Sequence, residues 1–339
     1  MTSSLRLGLV GATGTLGREV ILVLEEEGFP IQELRVFAGE RSLGEEVELN
    51  GRSLPIESGQ PEFQGLDAVL LCTPASVALD LVRQALRVEV PCIDCSGALL
   101  GSNEVPLVIA DLGAHDGVQG APLISGPGGP TLVWGPVLSA LQREAGLVSI
   151  VGTVLHSASS LGRAGIEALS EQTLSLLNQR LPADSDPFPG PMAFDTLVHA
   201  AGEGGGEGAK DGAAPAEGDL MASLYRLLGP GVRVAVTSVH VPSFAGQGGA
   251  LRVETERPLS PEEARRVFSA TAGISLLEDV AEASTRSAVG SPDILLTRLR
   301  ADPSAERFEC SLLFWLAADP VRLAALNAVK LLRARFSLA

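Results

Sequence analysis

Short apolar runs alternate with helical spacings over the first 130 residues. Leu5–Val10 reads as a buried strand. Gly17–Glu27 follows, with Val20, Ile21 and Leu24 on one helical face. Leu34–Ala38 and Ala68–Cys72 read as further strands, and Val77–Arg87 as a helix with Val77, Leu81 and Ala85 in register. Val90–Cys95, Leu107–Ala110 and Leu123–Ser125 continue the strand series. Strand and helix in this rhythm predict a mostly parallel sheet covered by helices, an α/β fold.

The pattern then changes. Leu147–Leu155, Val232–Val241, Ala250–Glu256, Ile294–Arg300 and Phe308–Leu316 are β-rich. Gly165–Gln179 and Pro261–Ala270 are helical, the second with Ser260 as N-cap, Pro261 in the first turn, and Glu262 and Glu263 near the positive end of the dipole. This predicts an α+β domain. Gly202–Gly218 is rich in Gly, Ala and Glu and reads as a surface loop, because it has too little apolar surface to bury. Asp319–Phe336 is a last helix, with Val321, Ala325, Ala328 and Leu332 on one stripe. The expected organisation is a first domain of residues 1–130 with 319–339, and a second of residues 131–318.

A chain of 339 residues fits two domains, and apolar residues at 45% supply a sizeable core. The net charge of −16 argues against a nucleic-acid partner, since phosphate binding needs a basic face. No apolar run reaches the length of a membrane span, and Met1–Val10 enters a strand pattern with no signal-peptide features. The four cysteines, Cys72, Cys92, Cys95 and Cys310, are too few for a disulfide framework in a chain this long. A cytoplasmic protein with reduced thiols is the expectation.

Candidate chemistry starts at Gly11-Ala12-Thr13-Gly14-Thr15-Leu16-Gly17. This is a G-x-x-G-x-x-G variant of the dinucleotide fingerprint, preceded by a strand and opening a helix. Glycines let the backbone approach a pyrophosphate, and the helix N-terminus offers it unpaired N–H groups. The bland alternative is a tight turn without a ligand. After the second strand come Glu40, Arg41 and Ser42. Arg41 and Ser42 suit the 2′-phosphate of NADP, and Glu40 would repel it if turned inward. An exposed loop with a solvated arginine is the other reading, and NAD stays open.

These residues carry a resemblance over nearly the whole chain. The segment Val10–Gly17, then Phe37-Ala38 and Arg41-Ser42, resembles the NADP end of aspartate-semialdehyde dehydrogenases. Val253–Ala264 is similar to part of their second domain, and Ala324–Val329 to their C-terminal helix. The resemblance implies a Rossmann-type NAD(P)-binding domain, an inserted dimerisation domain, a homodimer, and Asn327 at the cofactor. The family reaction is NADPH-dependent reduction of aspartyl phosphate to aspartate semialdehyde through a cysteine thioester. The catalytic pattern departs from the family. The cysteine position matches Gly129, the glutamine position His156, the substrate-binding arginine His240 and the acid/base histidine Gln247. The phosphate-binding arginine matches Leu100. Gly has no side chain, and Gln exchanges no proton near neutral pH. This pattern resembles the Usg-type divergent branch.

Two further features carry alternatives. Cys92-x-x-Cys95 has the spacing of redox and zinc sites, but in a strand positions three apart face opposite sides, which favours inert packing. His156 and His240 read either as hydrogen-bonded residues of a relic pocket or as a new acid/base or metal pair, and no zinc site is assigned. His156 with Ser157 or Ser159 lacks an orienting third group. Pro136 is expected to kink or shorten the helix after Gly129. Two functions remain: an NADP-dependent oxidoreductase on a changed substrate, or a non-catalytic dimer that binds a nucleotide or has stopped doing so and acts by association; the intact glycine loop favours retained nucleotide binding.

Overall fold

A computed structural model describes residues 4–42, 44–113, 117–181, 185–199 and 213–338. His115, the side chain of Arg41 and most of the glycine-rich stretch lie outside the described residues. The chain divides into two units, Met1–Gly128 with Val321–Ala339, and Gly129–Pro320.

The first unit begins with β1 (Leu5–Val10), α1 (Thr15–Glu26) and β2 (Ile31–Phe37), then a small hairpin of β3 (Val47–Leu49) and β4 (Arg52–Leu54). It continues through β5 (Ile56–Glu57), β6 (Ala68–Leu71), α2 (Ala75–Arg87), β7 (Cys92–Asp94) and β8 (Leu123–Ser125). Six strands pair in the order β5-β2-β1-β6-β7-β8, all parallel. The chain starts in the middle, steps to one side, and resumes on the other. The strand order therefore reverses between β1 and β6, the place where open α/β sheets bind ligands. β6 is buried throughout, because helices cover both faces of such a sheet.

Leu107–Ala110, expected as a strand, makes only the single bridge Leu107 to Ser125 before a 3-10 turn at Ala110–Leu112. The reason is a side chain. Asn327 donates through Nδ2 to the Val108 carbonyl (3.1 Å) and accepts at Oδ1 from the Ala110 amide (2.8 Å), standing in for a strand partner.

The second unit holds α3 (Gly129–Ala145), β9 (Leu147–His156), α4 (Gly162–Leu177), β10 (Leu197–Val198), α5 (Pro215–Leu228), β11 (Arg233–His240) and β12 (Gln247–Thr255). It ends with α6 (Pro261–Ser269), β13 (Ile274–Leu276), β14 (Ile294–Ala301) and β15 (Ser311–Ala318), after which α7 (Pro320–Arg335) returns the chain to the first unit. Seven strands pair in the mixed order β10-β11-β9-β12-β15-β14-β13. Helices α3, α5 and α6 pack on one face, with α3 touching both other helices. The opposite face carries exposed Val151, Ala235, Thr237 and Ala250 beside an open groove of about 560 Å³.

Three local expectations change. α3 runs unbroken through Pro136 for 17 residues, because Thr131–Leu141 are all buried and packing sustains the helix despite one lost hydrogen bond. Pro215–Gly218, read as loop, is the first turn of α5. Pro215 stands at its start, and the Glu217 carboxylate accepts from the Ala214 amide at 2.9 Å. Phe308–Cys310 is a 3-10 turn, and β15 begins only at Ser311. The α6 N-terminus follows expectation: Glu263 N–H donates to Ser260 Oγ (3.2 Å), and Ser260 N–H to Glu263 Oε2 (2.8 Å). No helix among the described residues is long and apolar enough to cross a membrane.

Candidate functional site

In the first unit, Gly11–Gly17 connects β1 to α1 at the point where the strand order reverses. Gly11 has φ +85°, and a Cβ built there would lie 2.3 Å from the Cys72 carbonyl oxygen. A Cβ on Gly17 would lie 2.2 Å from the Gly11 oxygen. Both positions therefore require glycine, one for the turn and one for close packing of the helix on it. Gly14 caps α1 without a side chain, and no acidic residue stands in the first turn. The amides of Thr15, Leu16 and Gly17 lie in that first turn, where an α-helix has no internal acceptors for them. The chain thus presents backbone donors and a partial positive charge to an anion. A dinucleotide pyrophosphate fits this cradle.

Thr13 Oγ1 and Ser42 Oγ are hydrogen-bonded at 2.7 Å, which ties the glycine loop to the 3-10 turn after β2. Glu40 in that turn is exposed. Arg18 reaches back to the Thr13 carbonyl (3.1 Å) and pairs with Glu45 (2.6 Å). Asn327 is buried with its amide engaged by Val108 and Ala110, so it braces the backbone beside β8. Leu100 is buried and apolar.

In the second unit, sheet register brings three of the sequence-derived positions into one row. His240 pairs with His156 across β11 and β9, and His156 pairs with Gln247 across β9 and β12. Directly opposed residues point to the same face, so the three side chains are neighbours. All three are at most 5% exposed. His199 joins them from the end of β10. Its ring stacks on His240 at 4.0 Å between centroids and lies 4.9 Å from His156. Phe188 closes over His240 edge-on at 5.6 Å. His156 Nε2 is 3.3 Å from Ser238 Oγ, while Ser157 and Ser159 bond each other at 3.0 Å.

Burial, with His199 and His240 close by, pushes His156 down to about 3. Burial and then His199 lower His240 to about 4. Both rings are neutral at physiological pH, so they donate and accept hydrogen bonds but supply no cation. His240 Nδ1 and Gln247 Nε2 are buried without a hydrogen-bond partner among the described residues. Among those residues no group of three His, Cys, Asp or Glu side chains is arranged to hold a metal ion. His199 was visible in the sequence only as one of four histidines. It follows a two-residue strand, too short for any period to reveal its neighbours.

Gly129 is the first residue of α3, and a Cβ there would lie 2.8 Å from the Pro320 Cβ. The cysteines are elsewhere. Cys72, Cys92 and Cys95 belong to the first unit's sheet, and Cys310 is buried beside Arg307 at 2.7 Å.

Comparison with known proteins agrees with this architecture. Residues 6–119 match the family model for the semialdehyde dehydrogenase NAD-binding domain, and residues 138–323 that for the semialdehyde dehydrogenase dimerisation domain. The chain is 30% identical over 345 residues to an aspartate-semialdehyde dehydrogenase of Mycolicibacterium smegmatis, covering 96% of this chain and 97% of the relative. It is 28% identical over 335 residues to that of Aquifex aeolicus, covering 96% of each. The crystal structure of aspartate semialdehyde dehydrogenase II complexed with ASA from Vibrio cholerae superposes with a TM-score of 0.90 at 26% identity over 98% of both chains. An aspartate semialdehyde dehydrogenase with NADP from Candida albicans shares the fold at TM-score 0.71 and 15% identity, over 99% of this chain and 100% of that one. With both family domains present in order and relatives matched almost end to end, the chain belongs to the semialdehyde dehydrogenase family.

Proposed function

We propose that this protein binds NADP(H) on the Gly11–Gly17 loop and lacks the phosphate-dependent activity of the aspartate-semialdehyde dehydrogenases, as a Usg-type homologue. The observation that carries this reading is Gly129. The family nucleophile belongs at the start of this helix, where the positive helix end lowers a thiol's pKa. Gly129 offers no side chain, and the Pro320 ring occupies the space a Cβ would take. The neutral His240 stands where the resemblance puts a carboxylate-binding arginine, and Gln247 where it puts the proton-transfer histidine. Leu100 cannot hold a phosphate.

Nucleotide binding is supported by the glycine cradle. Thr13, Thr15, Leu16 and Gly17 would surround the pyrophosphate, and Arg41 and Ser42 would take the 2′-phosphate, which favours NADP over NAD. When bound, the nicotinamide supplies a hydride donor or acceptor; the chain's part is to bind and orient it. A homodimer through the uncovered face of the second unit's sheet agrees with the dimerisation-domain match.

A second reading, an NADP-dependent oxidoreductase on a changed substrate, is favoured by one observation. His240 Nδ1 and Gln247 Nε2 are buried polar atoms without partners, and such atoms carry a cost that a hydrogen-bonding ligand removes.

The test is to titrate the purified protein with NADPH and NADP by fluorescence and thermal shift, then to assay phosphate-dependent oxidation of aspartate semialdehyde. Binding without turnover is expected. Turnover above background defeats the loss of activity, and failure to bind either nucleotide removes the cofactor assignment.

A further inference from the structure

The proposed function leaves the three cysteines of the first unit unused, and two of them are neighbours across the sheet. Parallel pairing of β6 with β7 runs through Val69 to Cys92, Leu70 to Ile93 and Leu71 to Asp94. The next position on each strand is a cysteine, Cys72 and Cys95, and the Cys95 amide still donates to the Leu71 carbonyl at 3.0 Å. Both side chains pack on the cluster that holds Leu9, Leu70 and Ile93, whereas Cys92 is buried in the cluster on the other face. Neighbouring strands stand about 4.8 Å apart, within the Cα separations that a disulfide spans. The neighbouring Cys72 thiol is the largest influence on the Cys95 thiol and pushes its pKa up. Both residues are half-buried, unlike fully buried Cys92 and Cys310.

The pair lies under the glycine loop. The Cys72 carbonyl is the atom that a Cβ on Gly11 would strike at 2.3 Å. The Cys72 amide donates to the Val10 carbonyl at 2.9 Å. A change in the backbone at Cys72 therefore passes directly to the turn that begins at Gly11.

We propose that Cys72 and Cys95 form a redox pair that a hydroperoxide oxidises to a disulfide, and that this link alters the conformation of the Gly11–Gly17 loop. Cys95 is held in its protonated form, first by the Cys72 thiol and then by burial. The attacking role is assigned to Cys72, which is half-buried at the end of β6 with its carbonyl against Gly11. Its thiolate sulfur attacks one peroxide oxygen, the O–O bond breaks, and hydroxide leaves, giving a sulfenic acid at Cys72. The Cys95 sulfur then attacks that sulfur. The S–O bond breaks, the Cys95 proton leaves with the hydroxyl group as water, and the S–S bond forms. Two thiols are oxidised by two electrons while the peroxide is reduced to water. A dithiol reductant reverses the step.

The experiment treats the full-length protein with hydrogen peroxide, blocks remaining thiols, and maps disulfide-linked peptides by mass spectrometry. Deuterium uptake of the Gly11–Gly17 segment is measured before oxidation, after it, and after dithiothreitol. A Cys72–Cys95 link is expected in the wild type and in Cys92→Ser, and is absent in Cys95→Ser. Uptake in the glycine segment changes by about twofold or more on oxidation and returns on reduction. The proposal is overturned if the two thiols end as separate sulfinic acids, if either pairs with another cysteine, or if loop uptake is unchanged with the link complete. No nucleotide enters these measurements, so they stand or fall apart from NADP(H) binding.

Discussion

The first residue of α3, Gly129, and the first residue of α7, Pro320, are packed so closely that a Cβ on the former would lie 2.8 Å from the Cβ of the latter. A proline ring cannot swing aside as a flexible side chain does. Gly129→Cys should therefore destabilise the protein by about 1–3 kcal/mol through overpacking. It should also leave phosphate-dependent aspartate semialdehyde oxidation at background, because Gln247 and Leu100 remain. Denaturant unfolding and the coupled assay check both, and robust turnover by this single variant contradicts the reading of the site.

Gly17→Ala tests the nucleotide cradle. The added methyl would meet the Gly11 oxygen at 2.2 Å and the Ala12 Cα at 2.7 Å, both backbone atoms that move only with the whole turn. A stability loss of about 1–3 kcal/mol is expected. NADPH affinity should fall about tenfold or more if, as proposed, the amides of this turn are the anion donors. Arg6→Ala, whose Asp67 partner is distant from the loop, is the matched control and should retain affinity.

The histidine cluster makes stability fall on the acid side. Unfolded histidines titrate near 6.5, whereas His156 and His240 titrate at about 3 and about 4 in the folded protein. Between those values the unfolded chain binds protons that the folded chain does not, so lowering the pH favours unfolding. The contribution is complete above about pH 7 and is lost as pH falls from about 6.5 toward about 4 for His240 and about 3 for His156. The slope approaches about 1.4 kcal/mol per pH unit for each histidine. Urea unfolding at about pH 7.5 and about pH 5.5, above the range of most carboxylates, should show the decline, with a shallower slope in His156→Gln and His240→Gln. A flat profile in the wild type contradicts the buried neutral rings.

Val151 is 45% exposed near the middle of the uncovered sheet face and pairs in register with Arg252. Val151→Arg adds a cation beside Arg252, Arg298 and Arg300, which line the same groove. In a dimer through this face the substitution should raise the dimer dissociation constant about tenfold or more, while the monomer keeps its fold because the site faces solvent. Light scattering with size exclusion reads the change. An unaltered dimer would place the interface elsewhere.

The first unit was legible in the sequence because its signals are local. Strands such as Ala68–Leu71 are continuous apolar runs, and the glycine spacing between β1 and α1 needs only the next few residues to be interpreted. Ser260 was readable as a cap for the same reason, its partner Glu263 being three residues away. Leu107–Ala110 misled because the amide and carbonyl groups that a strand would pair are taken by Asn327, more than 200 residues later. Pro136 misled because helix propensity is a local quantity, while burial of α3 on every side is not.

By itself, then, the sequence determined most of the strands and helices of the first unit, where the glycine turn after β1 stands, and that position 129 carries no thiol, since periodicity, glycine spacing and residue identity are properties of neighbours along the chain. Only the tertiary structure decided what the remaining chemistry touches. Strand register set His240, His156 and Gln247 in one row and brought His199 onto His240. It also placed Cys72 against Cys95 while turning Cys92 to the opposite face. A shift of one residue in either pairing would reverse the faces. That register comes from burying whole strands together, which no short stretch of sequence encodes.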